Sequence, residues 1–374
     1  MLKGVYLSLF MGPMVPVPAP KAVVDALISA QVNTGGERSG FQLVFSMNKK
    51  SSIRQTLLPS GFMDTGTTRV ILVATLGGAP NVLIDGIVTR HEVSPSNEAG
   101  QSTITLTGED LTVLMDVLAF PMLRYPCIPI LAQVNLIVIK YAMFGILPVV
   151  IPPLFDSPLL PTDTIPSQTG TDLAYIKELA HKVGYIYHLV PGPTPGASVF
   201  YFGPDISLPI PQPALMVNMD ANTNVESLTF SLDGLCKKLV VMNIMDPVTQ
   251  SIPIPVPVPP VNILRPPLGV RLTLPMKMEY LEGGNLNPIQ GISKALSISA
   301  ETTEAISASG TLNVLRYGQV LKAFELVGVC GAGPAYDGLY YVRTVTHNIK
   351  RGEYKQSFTL SRDGLMSQTP AVPV

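Results

Sequence analysis

Thirty-six prolines in a chain of 374 residues set the first limit on what it can become. A proline inside a helix removes a backbone hydrogen bond and clashes with the preceding turn, so long helices are excluded. The 31 glycines push the same way, toward turns and short extended elements. Disorder is excluded too, because 47% of the residues are apolar and only 14% are charged. A net charge of −1 leaves no footprint for nucleic acid or an anionic lipid surface. The mean hydropathy of +0.35 then asks where the excess apolar surface goes. A membrane and an assembly of subunits are the two candidate sinks.

The stretch from Ile128 to Leu147 has the length of a span, which takes about 20 apolar residues. Lys140 lies inside it, at about 3 kcal/mol near a bilayer centre, and Pro129, Pro148, Pro152 and Pro153 bracket it. At helical spacing Val134, Ile137, Val138, Tyr141 and Ala142 share a stripe, which predicts a buried amphipathic helix. Membrane association through 128–147 is the alternative. The N-terminal apolar run is broken by Pro13, Pro16 and Pro18, so a first strand and a Pro-rich connection are expected in place of a signal peptide. Cys127, Cys236 and Cys330 form no CxxC pair and read as small buried hydrophobes in a reducing compartment.

Along the chain, Pro20 opens a predicted helix over Lys21 to Ala30. Strands are predicted at 41–47, 69–75 and 81–93, with Asp85-Gly86 as a turn or a bulge, and at 102–107, where Ile104 and Leu106 alternate with threonines. Asp110 caps a short helix. A Pro-rich loop over 148–166 follows the apolar helix. Thr171 then caps a helix with Leu173, Ile176, Leu179 and Ala180 at core spacing and Gly184 as its stop, leading to strands at 185–190 and 198–202. Strand patterning returns over 224–242. From Pro253 to Pro260 prolines alternate with apolar residues, which fits an extended segment laid on a surface. A helix is predicted around 289–298.

Two distant stretches are alike. Residues 85–111 and 337–365 both open with Asp-Gly, pass a histidine followed by an aliphatic residue (His91, Val93; His347, Ile349), and turn at Gly100 or Gly352. Each closes on an alternating strand (Ile104, Leu106; Phe358, Leu360), then an acidic residue and Leu. Two such copies predict two similar β-units flanking an insert. Three chains with two similar units each would make a ring of threefold and approximate sixfold symmetry.

The run Thr171-Asp172-Leu173-Ala174-Tyr175-Ile176 through Leu179-Ala180, then Gly184-Tyr185-Ile186-Tyr187, pairs a capped helix with a Gly-aromatic strand start. The closing run holds Gly338-Leu339-Tyr340-Tyr341-Val342, His347-Asn348-Ile349, Tyr354 and Phe358-Thr359-Leu360-Ser361-Arg362. On these residues the chain resembles the baseplate hub proteins of contractile phage tails and injection systems, the late control D family and the hub part of type VI spike (VgrG) proteins. The resemblance implies an α+β, mainly β fold: two similar tube-protein-like β-barrels with a small inserted α+β domain. The expected organisation is a first barrel over 1–124, an insert over 125–220, a second barrel over 221–246 and 300–366, a Pro-rich extended insertion over 247–299 and a tail over 367–374. It further implies a homotrimeric structural adaptor between a hexameric inner tube and a trimeric spike, with other baseplate components as neighbours, assembling in the cytoplasm into a tail-like particle. VgrG chains continue into an OB-fold and a β-helical spike. The sequence given ends at Val374, so the spike is expected as a separate chain.

Chemistry is not signalled. HExxH, GxSxG and Walker patterns are absent, and His91, His181, His188 and His347 are the only histidines. His181 and His188 read as satisfied histidines, not metal ligands. Gly328 to Gly333 is glycine-rich but lies between strands, so a wide turn is expected, not a phosphate loop. A glycan-cleaving carboxylate pair is not marked. No catalytic, cofactor or metal residue is therefore assigned, and neither nucleic acid nor a direct membrane span is expected.

Overall fold

The computed structural model describes the chain apart from residues 1–3, 14, 49–50, 97–100, 126–127, 154–166, 206–210, 246–252, 259–266, 273, 275–276, 282–303 and 369–374. The helix predicted around 289–298 lies outside the described residues.

The first part is built from β1 (Val5–Pro13), β2 (Val17–Pro18), β3 (Leu27–Gly35), β4 (Gly40–Ser46), β5 (Thr68–Leu76), β6 (Ala79–Ser94) and β7 (Thr103–Asp110). On β7 the alternation holds, with Ile104 and Leu106 buried and Thr103, Thr105 and Thr107 half-buried. The helix predicted over 21–30 stops earlier: α1 spans Lys21–Ala26, and Leu27 already has extended backbone. Pairing on both sides draws the segment into β3, and tertiary pairing outweighs the local helical period. Asp85-Gly86 is no turn. It sits inside the long strand β6, where a side chain at position 86 would collide with the Glu109 carbonyl.

The insert carries β8 (Ala119–Arg124), α2 (Ile130–Val138), β9 (Ile146–Val150), β10 (Ser167–Thr171), α3 (Asp172–Val183), β11 (Ile186–Pro191) and β12 (Ser198–Gly203). It has its own core, in which Val134 and Ile137 of α2 and Leu173 and Ile176 of α3 meet Phe200 and Phe202. The α3 ends follow the sequence. The Thr171 hydroxyl accepts from the Ala174 amide at 3.1 Å, and Gly184 takes the left-handed conformation. Residues 128–147 form no single helix. α2 gives way to a 3-10 turn over Ile139–Phe144, and Gly145 then leads into β9.

The last part holds β13 (Gln212–Met216), β14 (Val225–Leu232), β15 (Lys238–Met245), β16 (Pro253–Val258), β17 (Gly269–Leu272), β18 (Lys277–Leu281), β19 (Ile306–Asn313), β20 (Leu326–Cys330), β21 (Gly338–Lys350), β22 (Glu353–Arg362) and β23 (Gly364–Ser367). One sheet runs β14-β19-β22-β21-β3-β4-β7-β6-β5-β1-β2, with β20 on β21 and β13 on β20. The protein is thus mainly β, with large antiparallel sheets and a small α+β insert. Two strands cross the expected domain limits: β8, from the 1–124 segment, pairs with β10 of the insert, and β13, from the 125–220 segment, pairs with β20.

The sheet path repeats itself. β3-β4-β7-β6-β5 and β14-β19-β22-β21-β20 have the same order. Two of their irregularities also coincide: β3 skips Ile28 against β4 as β14 skips Glu226 against β19, and β6 skips Thr89 against β7 as β21 skips Arg343 against β22. These bulges fix the equivalences. His91 matches Val345 and Val93 matches His347, so the two histidines that the sequence aligns are two residues out of step. Their surroundings agree with that, His347 being buried and His91 exposed.

Candidate functional site

The broadest chemically uniform feature is one face of the shared sheet. Its strands alternate, and most of the residues that leave the core on this face carry a hydroxyl or an amide. β14 offers Ser227, Thr229 and Ser231; β19 Ser307, Ser309 and Thr311; β22 Ser357 and Thr359; β21 Thr344, Thr346 and Asn348. The row continues onto β3 with Ser29, Gln31 and Asn33, onto β4 with Gln42, and onto the β7 threonines. Neighbours satisfy one another: the Ser227 and Thr311 hydroxyls are 2.8 Å apart, those of Thr344 and Thr359 2.6 Å, and Thr346 donates to Asn33 Oδ1 at 3.2 Å. Charges stand at its borders, where Lys355 meets Glu226 and Glu353, and Arg38 meets Glu109 and Asp116. Such a face is wet and uncharged, with no fixed group to hold an ion.

Buried polar nodes brace the elements beneath it. Arg69 Nε and Nη2 donate to the two Asp85 carboxylate oxygens, each at 2.7 Å, and Nη2 also reaches the Gly196 carbonyl of the insert at 3.3 Å. Arg362, fully buried, donates to the carbonyls of Gly364, Ala335 and Asp337 and lies over the Tyr340 ring at 4.4 Å. In the insert, buried Asp172 accepts from Tyr141 at 2.8 Å and Gln168 at 2.7 Å and pairs with Lys140 at 2.6 Å. The lysine that argues against a span is therefore the partner of a buried carboxylate. These three nodes were not visible in the sequence; an arginine inside the apolar run RVILVAT, facing an aspartate in the next strand, was the available signal.

Two histidines are structural. His347 Nδ1 bonds the Tyr354 hydroxyl at 2.8 Å, and complete burial lowers its pKa to about 3. His188 is stacked between Phe324 (centroids 3.9 Å) and Tyr201 (4.9 Å). Burial lowers its pKa to about 4 against a smaller upward pull from Asp205, and its Nδ1 has no hydrogen-bond partner. His91 and His181 are exposed. Among the described residues no group of three or more His, Cys, Asp or Glu is placed to hold a metal. The run 328–333 is the end of β20 and a turn, with Gly331 and Gly333 at positive φ and the Ala332 amide held by Asp337 Oδ1 at 2.7 Å. A groove of about 390 Å³ opens between β1, the start of β3 and the β21–β22 turn, lined by Val5, Leu7, Leu27 and Ile28 together with Lys350, Arg351 and Glu353. No helix among the described residues is long and apolar enough to cross a membrane.

The fold is similar to that of solved tail proteins. A tail protein of Neisseria meningitidis MC58 superposes with a TM-score of 0.65 at 14% identity, over 96% of this chain and 98% of that one. The 43 kDa tail protein of prophage MuSo2 from Shewanella oneidensis gives 0.65 at 12%, over 97% and 100%. The E. coli c3393 protein, a component of the type VI secretion system with structural similarity to the T4 tail proteins gp27 and gp5, gives 0.51 at 12%, over 93% and 78%. No family model matches the chain, and no curated protein matches it in sequence. The chain has the fold of these tail proteins.

Proposed function

We propose that the chain is a structural hub of a phage tail or contractile injection system, a homotrimer that joins the first ring of a hexameric inner tube to a trimeric spike made by a separate chain. The observation that carries this reading is the repeated sheet path with its coincident bulges. Three chains bring six equivalent modules to one side and three inserts to the other, which suits a joint between sixfold and threefold partners. The likeness in fold to tail proteins and to a type VI component supports it. The two modules comprise β1 to β7 and β13, β14 and β19 to β22; the insert between them runs from β8 to β12, and the Pro-rich segment joins β14 to β19. The role is adhesive and scaffolding, without catalysis, and the particle assembles in the cytoplasm. The hydroxyl face suits a solvent-filled passage, because it offers passing cargo no fixed charge to bind. Light scattering of the purified full chain tests the reading: the expected mass is three chains, and a monomer at every concentration tried overturns it.

A further inference from the structure

The insert is fastened to the two modules by different chemistry. To the first module it is tied by Arg69, which donates to the Gly196 carbonyl at 3.3 Å, and by Lys177, which pairs with Glu37 at 2.5 Å. To the second it is held by the His188 ring of β11, flat against Phe324 with centroids 3.9 Å apart and planes within 8°. Asp205, just after β12, adds an ion pair to Arg343 of β21 at 2.9 Å.

We propose that the stack of His188 on Phe324 is an acid-released latch: as the pH falls, the insert lets go of the second module and stays hinged on the first.

Three observations carry it. The first is a buried imidazole with nowhere to place a charge. His188 is 9% exposed, and its Nδ1 has no hydrogen-bond partner. An imidazolium carries a proton on both nitrogens, so charging it in place buries an unanswered donor. The ring faces of Phe324 and Tyr201 attract a cation but replace only part of its lost hydration. The second is strain. Phe324 has a φ of +64°, a left-handed conformation that a bulky side chain seldom adopts, and leaving the stack lets it relax. The loop before it is pinned, so the ring moves and the loop does not. Gln356 bonds the amide and the carbonyl of Leu321 at 3.0 and 2.8 Å, and Gln212 bonds those of Lys322, each at 2.9 Å. The third is room. A cavity of about 290 Å³ adjoins Phe324, lined also by Leu83, Leu189 and Leu321, and gives the ring a second apolar place.

The other groups at the joint do not supply the trigger. Arg343 also pairs with Glu304 ahead of β19, and Lys322 and Glu325 stand on the loop of Phe324. Burial raises the pKa of the Glu325 carboxyl, so a proton there favours the closed joint. His347 lines the same cavity, but its Nδ1 meets the Tyr354 hydroxyl at 2.8 Å and it takes up a proton only near pH 3. For His188 the pKa is about 4 in the stack, against about 6.5 in water, so protons favour the open form between those values. The open population is then expected to rise about twentyfold from pH 7 to pH 5.

Hydrogen exchange of the full chain, followed by peptide and corrected for the intrinsic effect of pH, tests this. Protection over 186–203 and 320–326 is expected to fall about twentyfold from pH 7 to pH 5, while 27–46 and 68–76 keep theirs. His188→Phe retains a stack without a titrating group and is expected to abolish the fall. Equal loss in all four stretches would mean global unfolding and overturns the latch. A fall that survives His188→Phe overturns His188 as the trigger. Phe324→Gly removes the ring and the strain together, and is expected to lower protection over 186–203 at pH 7 already; unchanged protection there overturns the stack as the fastening. The inference concerns a single chain and goes beyond the hub reading, so its failure leaves that reading standing.

Discussion

At the scale of single residues, the buried charges and histidines decide where this protein is vulnerable. Removing one member of a buried ion pair strands the other, at about 3–5 kcal/mol. Asp85→Ala is therefore expected to lower unfolding stability by that amount in urea titration, with Asp85→Ala/Arg69→Met less damaged than the single variant. His188 brings a pH dependence. Its folded pKa of about 4 is below the value near 6.5 of an unfolded histidine, so below pH 6.5 the unfolded chain binds more protons. Stability is full above pH 6.5 and falls as the pH drops toward 4, at up to about 1.4 kcal/mol per pH unit. His188→Phe keeps the stack on Phe324 and Tyr201 and removes the unpartnered Nδ1. Denaturation at pH 7 and pH 4.5 should find the variant at least as stable as the parent at pH 7 and about 2 kcal/mol less sensitive to acid. Neither feature was legible in the sequence. Arg69 and Asp85 meet only because β5 and β6 pair, and Phe324 reaches His188 from another module.

At the scale of elements, local chemistry was legible where the ends of an element are decided by its own residues. The α3 cap at Thr171 and stop at Gly184 are such a case, and so is the period-two burial on β7. The α1 segment is the opposite case, because Leu27 and its successors answer to β4 and β21, partners that no local window contains. The alternating prolines from Pro253 also gain a physical reason. Among the described residues β16 is an edge strand in the order β16-β15-β18, pairing with β15 from Pro253 opposite Met245 to Val258 opposite Val240. Along a strand, backbone donors point alternately to the two sides. Prolines at 253, 255 and 257 remove the donors from the outer side, while Ile254, Val256 and Val258 keep theirs toward β15. The edge is closed to further strands by what it lacks. Replacing the three prolines with valine restores those donors. The variant is expected to scatter light on heating well before the parent does, with its circular dichroism at 25 °C unchanged.

At the scale of the whole molecule, the duplication was legible but its register was not, for one reason. Side chains in a strand alternate with a period of two, so a shift of two residues leaves every apolar position on the correct face. Aligning His91 with His347 satisfied the pattern and was still two residues out of step with the bulges at Thr89 and Arg343. The same bulges mark which edges of the sheet stand open, and from that follows how stability should depend on concentration. Anything that binds only the folded state stabilises it by mass action, and in a self-assembling chain the ligand is the chain itself. The excess apolar character first seen as a mean hydropathy of +0.35 includes exposed surface such as Val93 and Leu232, which the proposed assembly would cover. Calorimetry over a hundredfold range of protein concentration should show Tm rising with concentration, since each tenfold increase in free partner adds about 1.4 kcal/mol per contact. Val93→Lys places a charge on an apolar residue that is 40% exposed at the edge of β6. It is expected to leave the low-concentration Tm within a few degrees of the parent and to abolish the rise. A parent Tm that stays constant across the whole range would mean that the open edges are not covered by further copies of the chain.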